Sequence, residues 1–328
     1  MHNDHLQKLS SKKSVVYTLH FFLVLTVNFA LPRMMPGSPV DRFLTDPSFS
    51  MQQREALLRQ FGLDKPLHIQ FILYIVNTLQ GNLGVSFRFY PTPVMTVIMY
   101  RIPWTLYLLG IAYSLSIIIG VILGATAGWR RGSKTDTMTI LFAFVTRSMP
   151  VFWLAMTLLL IFSYYLGIFP SSGALTPAIS PDNIARYIGD LGWHVVLPAT
   201  TIVLILIGPP ALLTRNLIAE VTEEPYIYLA KAKGLSPRTV LFKHALRNVM
   251  LPVSSYSAIL LGFIVSGAVF TETVFAWPGV GSLVYAAVIS RDYPLMQGAF
   301  LITTISVLLA NFLADILYSY LDPRVRRQ

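Results

Sequence analysis

Long apolar runs separated by short basic clusters set the pattern of this chain. A bilayer core of ~30 Å takes roughly 20 apolar residues of helix to cross. Six stretches meet that length, at about residues 14–35, 102–128, 138–168, 193–214, 251–274 and 295–320. Hydrocarbon offers the backbone no hydrogen bonds, and a helix satisfies its own, so all six are expected to be transmembrane helices. The first run follows Lys8, Lys12 and Lys13, as the core of a signal peptide would. It continues to Ala30, longer than such a core, and Leu31-Pro32-Arg33 makes a poor cleavage site, so an uncleaved span is expected.

The segments between the runs carry their own helix signals. Ser50-Met51-Gln52-Gln53 reads as a capping box. Leu57, Leu58 and Phe61 then share a face, and Gly62 is a natural stop. The apolar stretch 67–79 is short for a span and is expected at the membrane interface. In the connection 217–250, Pro225 opens a helix through Tyr226-Ile227-Tyr228-Leu229-Ala230-Lys231-Ala232-Lys233. Gly234 suits the left-handed position just past a helix end. Ser236 as N-cap and Pro237 as first helical residue start a second helix through Val240, Leu241, His244 and Ala245.

Composition turns these runs into a membrane protein. Charged residues are 12% of the 328, about half the share of a soluble domain, too few to cover a water-facing surface. The net charge of +10 sits beside the spans. Lys8, Lys12 and Lys13; Arg130, Arg131 and Lys134; Arg215, Lys231, Lys233, Arg238, Lys243 and Arg247; and Arg324, Arg326 and Arg327 all fall on one side. The short connections opposite carry only Arg186 and Arg291. The positive-inside rule then places both termini and the 217–250 loop in the cytoplasm and residues 36–101 outside. With no cysteine, disulfides and thiolate sites are excluded.

Candidate chemistry is sparse. The chain has no G-x-x-x-x-G-K-[ST] to cradle ATP phosphates, no H-E-x-x-H and no G-x-S-x-G, so no catalytic, cofactor or metal site is expected in it. Gly120, Gly124 and Gly128 give overlapping G-x-x-x-G patterns, which favour close helix contact within a membrane. Arg147, Glu272 and Asp315 are ionisable residues in or at the ends of spans, where each either lines a polar pathway or pairs to fix packing. The basic helix–turn–helix at 226–248 lies between two spans, which argues against nucleic acid. Of the two remaining readings, a solvated connection and a docking element for a cytoplasmic partner, the docking element is preferred.

Motifs along nearly the whole length point one way. They are Met35-Pro36-Gly37-Ser38-Pro39, Phe61-Gly62-Leu63-Asp64-Lys65-Pro66, Gly81-Asn82-Leu83-Gly84-Val85-Ser86, Arg101-Ile102-Pro103-Trp104-Thr105-Leu106 and Met149-Pro150-Val151-Phe152-Trp153-Leu154-Ala155. Glu272-Thr273-Val274-Phe275-Ala276-Trp277-Pro278-Gly279-Val280-Gly281 and Arg291-Asp292-Tyr293-Pro294 follow. In order and spacing they resemble the B-type permease subunits of the dipeptide/oligopeptide/nickel family of ABC importers. Ser38 and Asn82 stand where that family usually has aspartate.

The resemblance implies an all-α integral membrane protein with six transmembrane helices, the type I ABC importer permease architecture and cytoplasmic N and C termini. It divides the chain into 1–101, a first span plus external segment; 102–320, a five-span core holding the 217–250 loop; and a cytoplasmic tail, 321–328. The run Tyr228, Leu229, Ala230, Lys231, Ala232, Lys233, Gly234, Leu235 and Ser236 resembles the loop by which such permeases dock on their ATPases. Implied partners are a homologous second permease, two cytoplasmic ATPases holding ATP and Mg, and an external substrate-binding protein, all at a prokaryotic inner membrane. The implied cargo is di- or oligopeptide, with nickel chelates or oligosaccharides as alternatives on the same scaffold. A secondary carrier or an intramembrane enzyme would need a central ionisable network or a catalytic constellation, and the sequence displays neither.

Overall fold

The computed structural model describes residues 22–35, 52, 58–59, 62–177, 179, 182–262 and 268–321, side chains at 255, 258–262 and 309–321 excepted. The helices are α1 (Phe22–Met34), α2 (Leu67–Leu79), α3 (Val94–Trp129), α4 (Lys134–Ser148) and α5 (Val151–Leu158). Then come α6 (Ile184–Leu206), α7 (Gly208–Val221), α8 (Pro225–Ala232), α9 (Pro237–Thr239), α10 (Leu246–Gly262), α11 (Val269–Val274), α12 (Val280–Ile289) and α13 (Tyr293–Leu321). π-helical segments Leu159–Tyr165 and Val240–Ala245 continue α5 and α9. Among the described residues there is no sheet, only an isolated antiparallel bridge between Val85 and Pro93.

Two compact units divide the chain, one made by residues up to Tyr100 with Leu283–Ile305, the other by Arg101–Ser282 with the chain from Ser306. In the first unit, Gly62 at φ +66 closes the turn ahead of α2, its N–H donating to the Arg59 carbonyl at 3.1 Å. The expected box at Ser50 and the substituted Ser38 lie outside the described residues. α2 occupies the stretch expected at the interface. It meets α1 through Phe29, which packs edge-on to Phe71 at 5.1 Å. Asn28 Nδ2 donates to the Tyr74 hydroxyl at 3.1 Å and to the Gln297 carbonyl at 2.7 Å.

α3, most of which belongs to the second unit, is the longest helix among the described residues, 36 residues or about 54 Å at 1.5 Å per residue, far more than a bilayer core needs. Its glycine stripe lies against α7. A Cβ on Gly120 would come within 2.8 Å of Pro210 Cγ, and one on Gly124 or Gly128 would collide with the carbonyl of Ala211 or Arg215. The expected close contact is therefore backbone against backbone. Gly208 makes a second such approach, with the Ala143 carbonyl 3.0 Å from where its Cβ would be.

The expected spans are less regular than their hydrophobic pattern. Among the described residues, α3 and α6 are each long and apolar enough to cross a membrane alone. The stretch expected as one span over 138–168 is two helices, α4 and α5, bent by 100°. Pro150 has no N–H to continue α4, and it drives Met149 out of the helical region to φ −78, ψ 131. The stretch 193–214 likewise divides between α6 and α7 at Ile207. The stretch 251–274 holds α10 and then α11, which starts after Ala268 at φ −115, ψ 74, with 263–267 outside the described residues.

Candidate functional site

The 217–250 connection forms a helix–turn–helix whose ends follow the sequence signals. α8 starts at Pro225 and ends in a left-handed Gly234 at φ +74. The Gly234 N–H donates to the Lys231 carbonyl at 3.0 Å, and the Leu235 N–H to the Ala230 carbonyl at 3.4 Å. These are the two bonds of a Schellman motif, which satisfy carbonyls the helix leaves orphaned. Ser236 Oγ then accepts from the Thr239 N–H at 3.3 Å, capping the next helix.

One face of this element is its own platform. Ile227, Ala230, Val240, Leu241, Ala245, Val249 and Val253 are buried together with Val121, Ala125 and Ile218. Ala230 is thus turned inward, and its small side chain lets α8 approach the π-helical segment. The other face is open. Tyr228, Leu229, Lys231, Ala232, Lys233, Gly234, Leu235 and Ser236 are all exposed. Tyr228 and Leu229 are more than half exposed, at 59% and 57%. Phe242, which the pattern did not single out, adds a further exposed ring, and Lys243 beside it adds charge. The result is an apolar strip edged with cations on a buried base. Lys231 is held in place, its Nζ 5.1 Å from the Trp129 ring centroid.

A second fastening holds the neighbouring connection. Ser133 Oγ caps α4, and Asp136 in its first turn receives a two-pronged Arg215, Nε to Oδ1 and Nη2 to Oδ2, both at 2.8 Å. The Gly132 N–H donates to the same carboxylate at 2.9 Å. Sequence patterns are blind to this pair, which joins residues 79 apart. Removing one partner of a buried ion pair strands the other, at a cost of about 3–5 kcal/mol, nearer the lower end here because Arg215 keeps some solvent. Asp136→Ala should therefore lower the thermal midpoint of the detergent-purified chain by several degrees. Arg215→Ala on that background should add little, and fully additive losses would dismiss the pairing as a stabilising unit.

The three ionisable residues near spans have separate fates. Glu272 is fully buried in the second unit: Thr105 Oγ1 donates to its Oε1 at 3.0 Å and the Ser282 N–H to its Oε2 at 2.9 Å. Thr105 in turn accepts from the Val280 N–H at 2.7 Å. Gly279 and Gly281 are required here, because a Cβ on either would run into the carboxylate. Trp277 Nε1 donates to the Trp104 carbonyl at 3.0 Å beside this node. Glu272 thus ties the Arg101–Leu106 motif to the Glu272–Gly281 motif. Arg147 is exposed in the last turn of α4, next to the bend. Asp315 lies on α13, its side chain outside the described residues.

Two further motifs meet in the first unit. Asp292 is fully buried and accepts from Ser86 Oγ, from the Arg88 N–H at 2.9 Å and from the Leu295 N–H at 3.1 Å, which makes it the N-cap of α13. Asn82 is an acceptor, its Oδ1 taking the Gly84 N–H at 3.0 Å.

Comparison with known proteins agrees with this geometry. Residues 116–327 match the family described as "binding-protein-dependent transport system inner membrane component". The chain is 36% identical to a di/tripeptide transport system permease protein, DppB, of Pseudomonas aeruginosa, over 94% of this chain and 95% of that one. It is 33% identical to an oligopeptide transport system permease protein, AppB, of Bacillus subtilis, covering 91% and 93%. Among solved structures, an inward-facing MetNI methionine ABC transporter chain shares the fold, with a TM-score of 0.53 at 17% identity over 70% of this chain and 97% of that chain. The mostly helical architecture is that of a type I ABC importer permease, and the chain belongs to the family of binding-protein-dependent transport system inner membrane components.

Proposed function

We propose that this chain is one of two permease subunits of an ATP-driven importer of di- and oligopeptides in a prokaryotic inner membrane. The observation that carries the reading is the open face of Tyr228, Leu229, Leu235 and Phe242, edged by Lys231, Lys233, Arg238 and Lys243 and backed by a buried platform. A solvated connection has no need of four exposed apolar side chains on a buried base, whereas a docking surface does. Two cytoplasmic ATPases hold the ATP and Mg, and their closure pushes this element, shifting the subunit between inward- and outward-open states. A homologous permease completes the pathway and an external binding protein delivers cargo. The names of the relatives, di/tripeptide and oligopeptide permeases, support a peptide cargo.

In this arrangement residues 1–101 supply a span and an external segment, 102–320 the core, and 321–328 a cytoplasmic tail. A cysteine placed at Arg238 should resist membrane-impermeant thiol reagents in intact cells, while one at Gln52 should react. Labelling of Arg238→Cys from outside would reverse the orientation. The purified chain should hydrolyse no ATP, and deletion of its gene should abolish ATP-dependent peptide uptake into cells. Uptake that persists, or that follows the proton gradient when ATP is depleted, would remove the importer reading.

A further inference from the structure

The first unit contains a cavity of about 380 Å³ bounded by α1, α2, the turns at 62–65 and 82–87 and the start of α13. Its charged lining is cationic: Arg33, Arg59 and Lys65, with no carboxylate among the described residues that line it. Arg33 donates to the Phe29 carbonyl and twice to Gln70 Oε1, all uncharged acceptors. Three of its five N–H groups are thereby used among the described residues. Gln297 lines the same cavity, and its Nε2 is buried with no acceptor among the described residues. Buried donors are nearly always paired in folded proteins, so a cavity that gathers the Gln297 donor with Arg33 and Lys65 suits an acceptor that carries negative charge.

The surroundings narrow the class. α1 exposes Phe22, Leu23, Val27 and Leu31, and α2 exposes Leu67, Ile72, Val76 and Leu79. In an inner-membrane protein such faces meet lipid, so the cavity opens among helices already clothed in hydrocarbon. α1, α2 and both bounding turns also precede residue 116, where the segment common to the transport family begins. We propose that this cavity is a binding site for the phosphate headgroup of an anionic phospholipid, with Arg33 and Lys65 supplying charge and Gln297 Nε2 a hydrogen bond. An amphiphile of this kind satisfies both the donors inside and the apolar faces outside, which a free anion does not.

The test uses the full chain in detergent, with phosphatidylglycerol compared against phosphatidylcholine of the same acyl chains. Phosphatidylglycerol should be retained at about one per chain and raise the thermal midpoint more than phosphatidylcholine does. Lys65→Gln, at an exposed rim position, should weaken retention severalfold, and Lys65→Gln with Gln297→Met should abolish it while the chain stays monodisperse. Lys134→Gln, an exposed lysine outside this unit, should leave retention unchanged. Equal retention of both lipids, or equal loss with Lys134→Gln, would overturn the proposal in favour of non-specific charge. Inorganic phosphate reproducing the whole thermal shift would make this a small-anion site. A dipeptide that displaces the lipid would make it a cargo site. Neither of these last results would bear on the docking face of α8.

Discussion

Gly124→Leu should prevent the chain from accumulating as a folded membrane protein. Gly124 sits where α3 crosses α7 so closely that even a methyl group would strike the Ala211 carbonyl and come within 2.8 Å of Thr214 Cβ. Neither obstacle can rotate away, since one is backbone and the other is the branch point of a side chain. Association in a bilayer gains nothing from the hydrophobic effect and depends on such close contact. Overpacking a tight core costs about 1–3 kcal/mol even where side chains can shift. Here the backbones must separate, which also opens gaps at Gly120 and Gly128 along the same stripe. Gly124→Ala should lower the thermal midpoint by several degrees, and Gly124→Leu should leave no monodisperse peak in size-exclusion profiles of a fluorescent fusion. A Gly124→Leu chain with the wild-type profile and midpoint would show that the two helices do not meet as described.

Ala232→Glu should leave the chain folded and detach the ATPases. Ala232 is exposed, and exposed substitutions away from special features usually change stability by less than about 0.5 kcal/mol. If a partner surface closes over this face, the new carboxylate is buried without a dedicated partner, a cost of several kcal/mol. At about 1.4 kcal/mol per tenfold, the ATPases should bind tens- to thousands-fold more weakly. Gly234→Val tests the same turn differently. Nothing lies within 4 Å of its would-be Cβ, so the penalty is purely that of φ +74 for a β-branched residue, on the order of 1–3 kcal/mol. It should distort the Schellman turn and lower uptake. Wild-type co-purification and uptake with Ala232→Glu would rule out docking on that face.

Local chemistry was legible in the sequence wherever a residue acts on its immediate neighbours. Gly62 and Gly234 adopt the left-handed conformation, Ser236 caps the helix begun by Pro237, α2 fills 67–79, and the glycine stripe marks a close crossing. What periodicity does not encode is which distant segments meet. The Asp136–Arg215 pair, the Thr105–Glu272–Ser282 node and Asp292 with Ser86 each join motifs that read as separate in the chain. The direction of Ala230 was equally hidden, because an alanine beside lysines suits either face of a short helix. Hydropathy also overstated the regularity of the spans, since an apolar run reads the same whether or not it is straight. The signal at Met149-Pro150 was present and local, and its consequence was outweighed by the apolar residues on both sides.

That bend has a consequence for how the subunit is made. Hydrocarbon does not solvate the backbone at Met149 and Pro150, so a chain bent by 100° there needs protein or water around the corner. α4 packs against both α6 and α7, and α7 begins some sixty residues after the bend. Until it emerges from the ribosome, the corner has no finished wall to rest on. The bend is therefore expected to be fully walled only once α7 has arrived. On that expectation the order of synthesis, as well as hydrophobicity, sets when this part of the chain takes its final shape.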